Sequence, residues 1–135
     1  MKTILVCYEE RPVAARVLER SAELARLLNA SVIVTSVAPV LHMRGGPIDP
    51  VDPPERHLTE VEDAAARLVE LGVATVETVP SVGDPAAAIV ALADSRQVDL
   101  IVLGAHDGGL FSRILEGSTG DAVVHRAHTD VLVVR

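Results

Sequence analysis

A single α/β domain, a parallel five-stranded sheet with helices on both faces, is predicted by three features of this sequence. Short β-branched and leucine-rich runs alternate with stretches whose apolar residues recur at helical spacing. The turns between them are mostly short and punctuated by Gly, Asn and Pro, which implies right-handed crossovers and a parallel sheet. Apolar residues make up 49% of the 135, nearly all of them Ala, Val, Leu and Ile, with one Phe, one Tyr and no Trp. That is enough for one aliphatic core, so residues 1–135 are read as one domain.

Ile4-Leu-Val-Cys7 forms a first buried strand, ending at Tyr8-Glu9-Glu10-Arg11. Pro12 suits the first turn of the next helix, in which Ala14, Val17, Leu18, Ala22, Leu24, Ala25, Leu27 and Leu28 make an apolar stripe. Asn29 is suited to a left-handed C-terminal cap. Val32-Ile-Val34 is a second strand that continues towards Val37. The following segment holds Pro39, Pro47, Pro50, Pro53 and Pro54 with a Gly45-Gly46 pair, and no regular structure is expected in it. A connection of this length is either a lid over a site or an unstructured link. A second helix runs from Glu55 to about Leu71, with Leu58, Val61, Ala65 and Leu68 on one face, and Gly72 ends it. Residues 73–79 read as a third strand, more polar than the others and closed by Pro80, which suits a sheet edge. Asp84-Pro85 combines a carboxylate N-cap with proline at the first helical position, opening a helix that ends near Ser95. Leu100-Ile-Val-Leu103 has no polar alternation, the mark of a strand buried on both faces, and Gly104 stops it. A last helix is expected from Gly117-Ser118 to about Ala127, since Ser118-Thr-Gly-Asp121 has capping-box spacing. Val131-Leu-Val-Val134 is the fifth strand.

Charge and motif content exclude several functions. Nineteen acidic against twelve basic residues give a formal charge of −7, which disfavours nucleic acid or an anionic membrane as partner. No apolar run approaches the roughly 20 residues of a membrane span. The N-terminus opens a strand and not a signal peptide, so a cytoplasmic location is expected. The lone Cys7 reads as a buried small hydrophobe, because a reactive thiol needs an electropositive, partly exposed setting. His125 and His128 have i,i+3 spacing but no third ligand, and both suit a helix C-terminus, so no metal site is assigned. No Ser-His-Asp or Cys-His set can be nominated by spacing, so no catalytic residue is assigned either. A phosphoacceptor receiver domain is excluded, since the only lysine is Lys2.

The stretch from Gly104 to Ser118 is the most informative. Glycines allow close backbone approach, and a helix start offers unpaired N–H groups and a positive dipole end, the ingredients of an anion cradle. No Lys follows the last glycine, so it is not a Walker A loop. Continued through Arg135, the stretch closely resembles the C-terminal half of universal stress protein domains. Nucleotide-binding members of that family carry G-x2-G-x9-G-[S/T]. Gly104, Gly117 and Ser118 match at the family's spacing, while Asp107 stands at the second glycine, with Gly108-Gly109 behind it.

The resemblance covers essentially the whole chain and implies an adenine nucleotide alpha hydrolase-like sheet of strand order 3-2-1-4-5. Ligands of such sheets sit at the carboxyl ends, where connections reverse between strands 1 and 4. By resemblance, Gly104, Gly117, Ser118 and Thr119 hold phosphates, with His106 beside them. Glu9 takes the position of the family's nucleoside-binding Asp, and Val37 and Leu103 line the same pocket. Blander readings stand beside these: a solvated acid at Glu9, ordinary core at Val37, a strand stop at Gly104 and a turn at Gly117. Asp107 either faces the phosphates and weakens ATP binding, or acts on the metal side through Mg²⁺. The function implied is a stress-response factor binding ATP or another adenine nucleotide, with or without Mg²⁺. Two other classes stay open: a ligand-free module acting through protein partners, and a slow ATPase, for which the sequence supplies no convincing general base. Family members commonly pair the last strand across a two-fold axis, which implies a homodimer through Val131 to Val134.

Overall fold

The computed structural model describes residues 2–38, 42–43, 46–47, 54–105 and 119–135. Five strands, β1 (Thr3–Cys7), β2 (Ser31–Thr35), β6 (Val76–Thr78), β8 (Leu100–Gly104) and β9 (Asp130–Val134), form one sheet. Its order is β6-β2-β1-β8-β9, and every pairing is parallel. Counted among themselves, these strands run 3-2-1-4-5. Two minor pairs complete the β structure. In one, β3 (Val37–Ala38) and β7 (Ser81–Val82) run parallel; in the other, β4 (His42–Met43) and β5 (Gly46–Pro47) run antiparallel. The helices are α1 (Ala14–Leu28), α2 (Pro54–Glu70), α3 (Pro85–Ser95) and α4 (Thr119–Arg126).

The central strands β1, β2 and β8 are apolar over their middle residues because both faces of the sheet are covered there. Ile4, Val6, Val32, Val34 and Val102 pack with Val17, Leu18 and Ala22 of α1 and Val61, Ala64 and Leu68 of α2. Their neighbours Leu5, Ile33, Ile101 and Leu103 point the other way, onto Ala86, Ile89 and Ala93 of α3 and Val123 of α4. Each fully buried Val, Leu or Ile contributes about 1.5–3 kcal/mol relative to exposure. The element ends follow their residues. Asn29 is left-handed at φ 52° and ψ 46°, Gly72 has φ +98°, and Asp84 accepts a 3.0 Å hydrogen bond from the Ala87 backbone N–H.

Several expectations are corrected. Pro12 precedes α1 and lies in a turn closed by the Ala14 N–H on the Arg11 carbonyl at 2.9 Å. Leu27 is 75% exposed; it lies about 200° round the helix from Ala25, off the stripe that meets the sheet. The buried face of α2 is His57, Val61, Ala64 and Leu68, so Leu58 and Ala65 each sit one residue off it. Regular pairing in the third strand is limited to Val76–Thr78, although Val73 is buried. β8 ends at Gly104 as expected, the glycine itself being its last paired residue, opposite Val134. The proline-rich segment holds the short β4–β5 pair, where none was expected.

Candidate functional site

The connection direction reverses between β1 and β8, and the carboxyl ends of these two strands and β2 open into a cavity of about 230 Å³. Of the residues singled out in the sequence, Glu9, Val37, Leu103, Gly104 and Thr119 all line it. His106, Asp107, Gly117 and Ser118 lie outside the described residues. β1 delivers its loop to the cavity because the Tyr8 N–H continues the ladder onto the Thr35 carbonyl at 2.8 Å. Glu9 then projects outward, 67% exposed, with its Oε2 3.3 Å from Arg11 Nε.

Gly104 has a packing reason to be glycine. A Cβ there would lie 2.6 Å from Val13 Cγ1 and 3.3 Å from Val17 Cγ2. The tight contact seats the start of α1 against the end of β8 and brings the β1–α1 turn to the cavity.

The wall formed by β2 and α2 was not foreseen. Ser36 Oγ lies 2.7 Å from His57 Nδ1 and donates to Glu60 Oε2 at 3.1 Å. His57 and Glu60 side chains are only 10% and 11% exposed, and Glu60 Oε2 is also 3.4 Å from His57 Nδ1. The serine has one proton, and an ionised carboxylate only accepts. With that proton on Glu60, His57 carries its own on Nδ1 and donates it to the hydroxyl. A catalytic relay needs the hydroxyl and the acid on opposite ring nitrogens. Here both meet Nδ1, so the group forms a bonded wall and not a relay. Arg56 extends it, with Nε 3.4 Å from Glu60 Oε1 and Nη2 4.0 Å from Glu10 Oε2. One sequence signal could have found this cluster: His57 and Glu60 are spaced i,i+3, and His57 continues the stripe of Val61, Ala64 and Leu68.

Two further groups on the cavity have their chemistry set by position. Burial, aided by the nearby Glu9 carboxylate, pushes the Cys7 thiol up to about 12, so it is an inert wall atom at neutral pH. Burial first, and then the carboxylates of Glu10, Glu60 and Asp63, raise the Tyr8 phenol above its ordinary value. It therefore stays a neutral hydroxyl. Among the described residues no three His, Cys, Asp or Glu side chains gather as metal ligands. His128 Nδ1 instead lies 3.3 Å from Asp94 Oδ2, tying the α4–β9 connection to α3.

The family model described as the universal stress protein family matches residues 1–135. A universal stress protein of Mycobacterium tuberculosis is 30% identical over 140 aligned residues, covering 98% of this chain and 95% of its own. A crystal structure of a universal stress protein in complex with cAMP superposes with a TM-score of 0.78 at 28% identity, covering 99% of this chain and 96% of that one. The universal stress protein from Archaeoglobus fulgidus in complex with dAMP gives 0.72 at 25% identity, covering 100% and 98%. Among the described residues no helix is long and apolar enough to cross a membrane.

Proposed function

The chain belongs to the universal stress protein family, and from that premise we propose that it is a stress-response factor that binds an adenine nucleotide at the carboxyl edge of β1, β2 and β8. The observation that carries the reading is convergence: Glu9, Val37, Leu103, Gly104 and Thr119, scattered along the sequence, line one cavity. Glu9 would accept from a ribose hydroxyl, Val37 and Leu103 would flank the base, and the start of α4 would attract the phosphate. The volume of about 230 Å³ lies just below the ~300–1,000 Å³ of typical small-molecule clefts, which favours a mononucleotide over a dinucleotide. The cAMP and dAMP complexes of the structural relatives support the same ligand class. Ser36, His57 and Glu60 form no relay, so no catalytic role is assigned to this wall.

The identity of residue 107 refines the ligand. Two unit charges about 4 Å apart repel by about 1 kcal/mol in water and about 4 kcal/mol at an effective dielectric near 20. An aspartate in the family's glycine position therefore penalises the triphosphate most. Titration calorimetry of the chain and of Asp107→Gly, with and without Mg²⁺, tests this. The substitution should tighten ATP by about tenfold or more, AMP by less and adenosine least. Weakening of ATP only in the presence of Mg²⁺ would instead assign Asp107 to the metal side. If no adenine compound binds or co-purifies, the binding reading gives way to that of an interaction module.

A further inference from the structure

We propose that Arg11 is the phosphate-recognising residue of this cavity, its guanidinium forming the anion subsite together with the first turn of α4. The inference rests on the nucleotide-binding reading above. The cavity lining holds two arginines, Arg11 and Arg56, beside three glutamates, Glu9, Glu10 and Glu60. The side chain is 24% exposed, and it is anchored by the turn between Arg11 and Ala14. It folds over Gly104, with Nη2 3.5 Å from that carbonyl. A Cβ added at Gly104 would come within 3.7 Å of the same Nη2, so the guanidinium packs over the glycine beside Val13 and Val17.

Two contacts hold this group, an ion pair to Glu9 and a long contact to the Gly104 carbonyl. The carbonyl contact is at the long limit for an N–H donor. Nε is buried and lies 3.3 Å from Glu9 Oε2, yet makes no aligned hydrogen bond. Arg56, also on the cavity, projects from α2 towards Glu60 and Glu10. A planar fork of donors above a crevice matches two phosphate oxygens, as a lysine point charge does not. Thr119 and Gly120 line the same cavity and add the positive end of the α4 dipole.

Adenosine, AMP and cAMP are titrated into the unaltered chain, Arg11→Gln and Arg11→Lys at low and high salt. Arg11→Gln should weaken AMP by about ten- to a hundredfold, the loss of a charge-assisted contact. The singly charged cAMP should lose less, and adenosine should be unchanged. Arg11→Lys should recover part of the loss, and the salt dependence of AMP binding should fall in Arg11→Gln. An unchanged ratio of AMP to adenosine affinity in both variants overturns the assignment while leaving nucleotide binding intact. Failure of all three ligands to bind the unaltered chain overturns the nucleotide reading, and the subsite with it. If Arg11→Gln does not fold, Arg11→Lys and the unaltered chain decide: AMP binding no more salt-dependent than adenosine binding rejects a cationic subsite.

Discussion

A residue can be required for what it omits, and Gly104 is the instance here. No left-handed backbone demands glycine at this position; the demand comes from Val13, whose Cγ1 would stand 2.6 Å from an added Cβ. A β-branched side chain at the start of a helix has little freedom to turn away. Gly104→Ala should therefore destabilise the fold by about 1–3 kcal/mol, the usual cost of overpacking, read as a lowered urea midpoint at unchanged slope. Val13→Ala removes the clashing methyl, so Gly104→Ala should cost clearly less in that background. Additive effects in the cycle would show that the contact is not the cause. Glu9, Val37, Leu103, Gly104 and Thr119 were legible through the family resemblance, and a parallel sheet sends strand ends, the residues just after them and helix starts to one edge. Ser36 and Arg11 were not, because their contacts to His57 and Gly104 join segments distant in sequence, while His57 was missed although it continues the α2 stripe.

Among the elements, β1 and β8 are fastened at their amino ends by a carboxylate. Asp99 Oδ2 accepts from the backbone N–H groups of Lys2 at 2.8 Å and Thr3 at 3.0 Å, while its own N–H reaches the Thr3 carbonyl at 2.9 Å. The Lys2 and Thr3 hydrogen bonds hold the Asp99 carboxyl below its ordinary value, with the N-terminal and Lys2 charges assisting. A carboxyl depressed by folding adds stability above its unfolded pKa of about 3.9, and that stability is lost as pH falls through the lower folded value. Asp99→Asn should thus lower the urea midpoint at pH 7, with the difference shrinking towards pH 3; an equal difference at both would discount the charge. Element ends were legible wherever one residue sets them, as at Asn29, Gly72 and Asp84. The face of α2 was misjudged by one residue. Hydropathy ranks Leu58 above His57, yet His57 turns inward because Ser36 gives its ring a buried partner. The short β4–β5 pair escaped notice because proline and glycine density argued against any ladder.

For the whole molecule, the two edges of the sheet differ in kind. β6 is three residues long and carries Glu77 in its middle, features that blunt an edge against further pairing. β9 is five residues long and, after Asp130, wholly apolar, and among the described residues it pairs only with β8. Val133 is 39% exposed there, and Val124 of α4 is 48% exposed. An apolar edge of this kind templates pairing, and a two-fold axis closes it by matching the strand to itself. The expected state is a homodimer joined along β9, measured as twice the chain mass by light scattering at micromolar concentration. Val133→Glu would set like charges near the axis, where opposed carboxylates destabilise pairing. Since Val133 is partly exposed, the variant should keep its circular dichroism while its mass falls to that of one chain. A monomer for the unaltered chain would refute the edge argument. A dimer unaffected by Val133→Glu would move the contact to another face. The cavity proposed to take the nucleotide lies at the carboxyl end of β1, β2 and β8 and takes no lining residue from β9, so AMP affinity should be the same in the monomeric variant as in the dimer.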